Sequence, residues 1–118
     1  MPVRDARSRI VAEVSKWSGV EASPHRFGGT EFRLGKRELG HVHGDHFADI
    51  VFPMAIRNGL VEEGRAEPHH ILSRSGWTTF RIREEQDVSR AVGLFRISYE
   101  EALKRSPISA AEALDPRC

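Results

Sequence analysis

Turn signals recur at close intervals between residues 28 and 53 and divide this part of the chain into short segments. The signals are Gly28-Gly29, Gly35-Lys36 and Gly44-Asp45, and Pro53 ends the last segment. Segments of this length are too short for ordinary helices, and they alternate as half-buried strands do. The spacing predicts an antiparallel meander with strands at Thr30–Leu34, Glu38–His43 and Phe47–Phe52.

Alternation also predicts which side chains share a face, because successive residues of a strand point to opposite sides. The segment after the second turn is expected to place Leu39, His41 and His43 on one face and Glu38 and Val42 on the other. In the following segment, Asp49 lies opposite the apolar face formed by Ala48, Ile50 and Phe52.

Apolar residues spaced three and four apart predict helices around this meander. We expect Asp5 to cap the first helix and Gly19 to end it. Ser98 and Glu101 have the spacing of a capping box, which predicts a separate last helix. The predicted helices are about 5–18, about 54–63, one beginning at Asp87, and Tyr99–Arg105, and two further strands are Ala66–Leu72 and Trp77–Arg83.

The order of elements predicts one α+β domain over residues 1–106, with about five antiparallel strands and the helices packed on one sheet face. Residues 107–118 are expected to be a C-terminal tail with one helical turn at Ser109–Leu114. The other sheet face would stay partly open and offer a concave surface to a ligand or a partner.

Charge and composition narrow the classes of partner. The formal net charge is +1, which is too balanced to predict nucleic-acid or membrane binding. Cys118 is the single cysteine, and the N-terminal MPVRDARSRIV has no apolar leader segment, so we expect a cytoplasmic protein. No apolar run approaches the roughly 20 residues of a membrane span. An exposed edge strand would allow a homodimer.

The polar residues of two neighbouring segments are the candidate binding site. Histidines titrate near neutrality and bind both metals and polar ligands. We expect a small ligand or a protein partner to bind a face lined by His41, His43, Asp49, His69, His70 and Trp77.

A metal-dependent enzyme is the first alternative. His41 and His43 are two positions apart on a strand and project from one face, and Asp49 could add a carboxylate. This set would suit a divalent metal as cofactor, although no catalytic residue can be named from the pattern. A DNA-binding protein is the second alternative, with Trp77 and Phe80 among five arginines: Arg74, Arg81, Arg83, Arg90 and Arg96.

Two stretches resemble a known family. One is GHVHGDHFADIVFP followed by Gly64-Arg65-Ala66-Glu67-Pro68-His69-His70, and the other runs from Ser75-Gly76-Trp77 to Ile97-Ser98-Tyr99. They are similar to the small bacterial and fungal luciferase-domain proteins over roughly residues 30–100. The resemblance implies no particular catalytic residue. The order of elements also resembles frataxin-like domains, some of which bind DNA, and this resemblance supports the second alternative.

Overall fold

A computed structural model describes residues 3–25 and 28–105 of the chain. Within these residues the predicted α+β class is confirmed, with three helices and one antiparallel sheet of six strands in the order β1-β2-β3-β4-β6-β5. The elements are α1 (Ala6–Val14), β1 (Val20–His25), β2 (Gly29–Leu34), β3 (Arg37–His43), β4 (Phe47–Val51), α2 (Met54–Glu62), β5 (Glu67–Pro68), β6 (Trp77–Arg81) and α3 (Gln86–Arg105).

The hydrophobic core lies between one face of the sheet and the helices α1 and α3. The rings of Phe32 in β2 and Phe95 in α3 meet edge to face, with their centroids 5.1 Å apart, and both side chains are fully buried. Ile10 of α1 and Ile50 of β4 are also fully buried. The helices therefore cover one sheet face and leave the alternate side chains of β3 and β4 on the other.

A bulge in β3 changes the predicted faces of that strand. Phe32 pairs with Gly40 and Arg33 pairs with Glu38, so Leu39 is the extra residue. Leu39 is fully buried in the core, while Glu38 reaches the ring of His41. The prediction that Leu39 shares the face of His41 is wrong, because one inserted residue inverts the alternation before it.

The bulge depends on a glycine. Gly40 has a φ of 154°, and a Cβ atom there would lie 2.5 Å from the backbone oxygen of Asp49 and 2.9 Å from the ring of Phe95. No side chain fits this space, and L-residues rarely adopt this φ. Gly40 thus lets β3 approach both β4 and α3 closely, directly beside His41.

The first helix is capped by a distant residue. Asp5 adopts a left-handed conformation and makes no side-chain cap, so its predicted capping role is wrong. The N–H of Arg7 instead donates to Asp45 Oδ1 at 2.9 Å, from the turn between β3 and β4. Helix α1 ends at Val14, and Gly19, with a φ of 82°, precedes β1.

The last part of the described chain is one helix, and the prediction of two helices is wrong. Ser98 does not cap a new helix but lies buried inside α3. Its hydroxyl points to two carbonyl oxygens of the sheet, those of Leu39 at 3.1 Å and Val51 at 2.8 Å. The capping-box spacing is therefore coincidental, because the serine hydroxyl bonds to the sheet.

The two edge strands differ from the predictions. β1 was not predicted, because its exposed sequence VEASPH has no apolar alternation and contains Pro24. β5 contains only Glu67 and Pro68, whereas a strand over Ala66–Leu72 was predicted. The chain turns at His69, whose ring accepts hydrogen bonds from the backbone that follows.

Two further expectations concern the C-terminal tail and membrane-spanning segments. The predicted tail with a turn at Ser109–Leu114 lies outside the described residues. Among the helices of the described part of the chain, none has the length and apolar character to cross a membrane.

Candidate functional site

Strand register gathers polar side chains from five strands into one row. His41 pairs with Glu31 on one side and Asp49 on the other, Asp49 pairs with Thr79, and Thr79 pairs with Glu67. The chain neighbours of Asp49 are buried in the helix-covered core, so Asp49 itself points to the opposite face. The row therefore crosses the face of the sheet that α1 and α3 leave uncovered.

The carboxylate of Asp49 is the centre of this row. Its Oδ2 lies 3.2 Å from His41 Nε2, 3.4 Å from His69 Nε2 and 3.8 Å from His43 Nε2. Its Oδ1 accepts the hydroxyl of Thr79 at 2.9 Å. The side chain is only 4% exposed. We call the group formed by His41, His43, Asp49 and His69 the histidine cluster.

The ring of His69 has a defined tautomer. Its Nδ1 lies 3.1 Å from the backbone N–H groups of both Ile71 and Leu72, so it accepts their hydrogen bonds. Since Nδ1 uses its lone pair in this way, the proton of the neutral ring is on Nε2. His69 therefore points a donor at Asp49.

His41 lies between two carboxylates. Its Nδ1 is 2.8 Å from Glu38 Oε2, and its Nε2 faces Asp49. Burial would lower the pKa of His41, but the hydrogen bonds with Asp49 and Glu38 outweigh it and raise this pKa to about 9. The ring is therefore an imidazolium at neutral pH in the free chain.

His43 and Asp49 respond differently to the same surroundings. Burial and the neighbouring charge of His41 lower the pKa of His43, against the opposing charge of Asp49. Burial would raise the pKa of Asp49, but hydrogen bonds from His41 and Thr79 outweigh it and hold this pKa below its ordinary value. A charged pair and a neutral imidazole thus lie side by side.

His25 is a site residue that was not predicted. Its ring stacks on that of His41, with centroids 4.2 Å apart, and its Nδ1 lies 2.9 Å from Glu31 Oε1. Hydrogen bonds from His25 and Arg33 lower the pKa of Glu31. The turn at Gly28-Gly29 was the available signal, since a hairpin there brings the segment before it alongside β2.

A shallow depression opens over the cluster. Its volume is about 520 Å³. The ring of His43 stacks on Phe47 at 4.8 Å between centroids, and that of His69 stacks on His70 at 4.4 Å. The depression is lined by His43, Gly44, His46, Phe47, Asp49, His69 and His70.

The structure brings most of the predicted site residues together. His41, His43, Asp49 and His69 form the cluster, and the half-buried ring of Trp77 lies 5.4 Å from that of His41. The sixth predicted residue, His70, is exposed at the rim. In the turn between β3 and β4, His46 lines the depression, whereas Asp45 caps α1.

The residues of the DNA-binding alternative are dispersed. Arg81 pairs with Glu67, Arg90 with Asp87 and Arg96 with Glu100. Thr79, between Trp77 and Phe80, points to Asp49, so alternation sends the two aromatic rings to opposite faces. In the described part of the chain, these three arginines are therefore paired with acidic residues, and Trp77 and Phe80 do not share a face on which bases could stack.

Comparison with known proteins identifies the family. A model described as the Luciferase domain matches residues 36–98, more than half of the 118 residues. The chain belongs to the luciferase-domain family. The matched region contains the whole histidine cluster and Glu38, and it leaves out α1, β1 and His25. No curated protein and no solved structure matches the chain, so the frataxin-like resemblance gains no support.

Proposed function

We propose that the chain binds a small organic ligand in the depression over the histidine cluster. The observation behind this is the buried carboxylate of Asp49, with imidazole nitrogens of His41, His69 and His43 at 3.2, 3.4 and 3.8 Å. A sheet does not need these groups for stability, since burying charges costs desolvation free energy that their attraction often only offsets. Such groups are concentrated at binding and catalytic sites.

The low exposure of the polar groups favours a small molecule over a protein partner. The side chain of His43 is 21% exposed, and those of His69 and Asp49 are 10% and 4% exposed. A flat protein surface would make little contact with side chains of such low exposure. The volume of about 520 Å³ lies within the range of about 300–1,000 Å³ that is common for ligand pockets.

The lining indicates the kind of ligand. Two pairs of stacked rings, His43 with Phe47 and His69 with His70, line the depression together with the carboxylate of Asp49. Rings of this kind bind flat apolar groups, and the ring nitrogens of His43, His46 and His70 in the lining can bind an oxygen-bearing polar group. The ligand class is therefore a small, flat organic molecule with a hydroxyl or carboxylate group.

Amide NMR on the full-length chain tests this proposal. The probes are benzoate and phenol at millimolar concentration, added to ¹⁵N-labelled protein. We expect shift changes concentrated in residues 43–49 and 69–70. Because an aromatic contact contributes about 0.5–1.5 kcal/mol, Phe47→Ala should weaken binding about two- to tenfold.

The control variant is Ile71→Ala. Ile71 is 74% exposed and lies just outside the lining of the depression. Binding by this variant should equal that of the wild type. Shift changes that spread evenly over the surface, or an equal loss in both variants, would contradict the proposal.

A further inference from the structure

We propose that Nε2 of His41, Nε2 of His43 and Oδ2 of Asp49 form the protein side of a site for one divalent transition-metal ion. The inference adds a metal cofactor to the same sheet face on which the proposed function places the organic ligand. In that respect it rests on the proposed function. It depends on the distances from Asp49 Oδ2 to the two nitrogens and on the orientations of the two rings. It also depends on the hydrogen bonds that the other polar atoms of these side chains make.

The distances from Asp49 Oδ2 to the two histidine nitrogens lie close to those between ligand atoms around one ion. Metal bonds of about 2.0–2.2 Å at tetrahedral angles separate neighbouring ligand atoms by about 3.3–3.6 Å. Asp49 Oδ2 is 3.2 Å from His41 Nε2 and 3.8 Å from His43 Nε2. Strong charged N–H···O bonds are shorter, about 2.7–2.9 Å. The ring planes of the two histidines are 87° apart, and a ligand nitrogen of His41 lies within 4.8 Å of one of His43.

The remaining atoms of two of these side chains are held as in known metal sites. A ligating histidine usually donates its other N–H to a carboxylate, which orients the ring and makes it a better ligand. His41 Nδ1 does so to Glu38 Oε2 at 2.8 Å. Thr79 holds Asp49 Oδ1 at 2.9 Å and leaves Oδ2 toward the histidines. A bound ion would replace the proton between His41 Nε2 and Asp49.

Two neighbouring histidines do not fit as ligands. His69 uses Nδ1 to accept two backbone hydrogen bonds, so its Nε2 carries a proton and serves Asp49 as a donor. The plane of His25 is only 16° from that of His41, and the lone pairs of stacked rings lie in parallel planes that do not meet at one ion. We therefore assign these two residues to positioning.

Three protein ligands leave coordination positions open. Metal sites with three protein ligands and an open position are those that bind water or substrate. The lining of the depression includes both His43 and Asp49, so an exogenous oxygen could reach the ion there. Two imidazoles and one carboxylate select zinc, iron, cobalt or nickel over magnesium or calcium.

Zinc titration of the full-length chain tests the inference. The probe is zinc chloride alone, added to chelator-stripped protein and followed by calorimetry. We expect one ion per chain. Both His41→Ala and His43→Ala should weaken binding at least about tenfold, the lower end of the loss that even supporting residues cause. Cobalt in place of zinc should give visible absorption typical of low coordination number.

Glu38→Gln tests the positioning hydrogen bond and keeps the inference falsifiable if other variants fail to fold. Glu38 is half-buried at the bulge, and Gln preserves its size. We expect about 10–100-fold weaker zinc binding and a shifted cobalt spectrum. Thermal melting without metal should show that the variant is folded.

His46, an exposed histidine in the turn between β3 and β4, provides the matched control. His46→Ala should bind zinc as the wild type does. The inference fails if the chain binds no zinc, if the loss in His46→Ala equals that in His41→Ala, or if a His41→Ala/His43→Ala double variant keeps full affinity.

The two proposals can fail separately. Zinc calorimetry contains no organic ligand, and the benzoate and phenol titrations can be run on stripped protein. Binding of benzoate or phenol without zinc binding would overturn only the metal inference. Zinc binding would overturn only the proposed function if neither benzoate nor phenol binds to the metal-free or the zinc-bound chain.

Discussion

Asp49 shows how far the environment of one residue depends on distant parts of the chain. Its neighbours in sequence, Ala48 and Ile50, are apolar and fully buried in the core. Its hydrogen-bond partners His41 and Thr79 are eight and 30 positions away. Its position on a strand face follows from alternation, but the pKa shifts of the cluster arise only when β3, β4 and β6 lie side by side.

Asp87 provides a residue-scale prediction about acid stability. Its Oδ2 accepts the backbone N–H groups of Arg83 at 2.8 Å and Glu84 at 3.0 Å, and Arg90 pairs with Oδ1. Burial would raise its pKa, but these hydrogen bonds outweigh it and lower the pKa below its ordinary value of 3.8. The stabilisation is therefore complete above that value and is lost as the pH falls through the folded-state pKa.

We expect Asp87→Asn to lower the free energy of unfolding by about 1 kcal/mol near neutral pH, because a charged acceptor becomes a neutral one. The difference from the wild type should shrink below the ordinary pKa of Asp87. Urea unfolding over a pH series measures it. Asp5→Asn, at a residue with no side-chain cap hydrogen bond, is the control. A difference that grows toward acid pH would contradict this account.

At the scale of elements, one serine joins α3 to the centre of the sheet. The hydroxyl of Ser98 lies between the carbonyl oxygens of Leu39, the bulge residue of β3, and Val51, at the end of β4. A bulge leaves a backbone carbonyl outside the regular ladder, and such a group is costly when buried without a partner. Ser98 therefore supports the bulge that places Leu39 in the core and Glu38 beside the ring of His41.

Removing this hydroxyl should destabilise the fold. We expect Ser98→Ala to lower the free energy of unfolding by about 1–3 kcal/mol, because it leaves buried acceptors without their donor. Ser89→Ala, at an exposed position of the same helix, should change it by less than about 0.5 kcal/mol. Chemical unfolding measures both. Equal losses in the two variants would mean that the hydroxyl contributes nothing specific.

At the scale of the whole molecule, the helices pack on one face of the sheet and leave the histidine cluster on the other. The buried charges are thus separated from the apolar core by the sheet itself. A ligand or ion can bind there with little change in the packing of α1 and α3. Binding to the folded chain alone should therefore add its free energy directly to stability.

This gives a prediction that extends the metal inference. At free zinc about 100-fold above the dissociation constant, the free energy of unfolding should rise by about 2.7 kcal/mol. Thermal or urea unfolding with and without zinc measures the change. The His41→Ala/His43→Ala double variant should show no such increase, and magnesium should give none in the wild type. Equal stabilisation by both metals would contradict a transition-metal site.

Local patterns predicted much of this molecule from sequence. Turn glycines and alternation indicated the meander of β2, β3 and β4 and the strand β6, and apolar residues at helical spacing indicated the short helix α2. The same alternation placed His41 and His43 on one face of their strand and Asp49 on the next strand. These predictions succeeded because turn geometry and side-chain direction in a strand depend on only a few consecutive residues.

Only the tertiary structure decided the features that need partners from distant segments. Leu39 is an extra residue because β2 and β3 pair with a shift around Gly40. Helix α3 is continuous because Ser98 bonds to the sheet, and β1 is ordered because β2 offers it an edge. Register, caps and buried hydrogen bonds depend on contacts between segments that are far apart in sequence. For that reason the tautomer of His69 and the charge of His41 could not be predicted from the sequence.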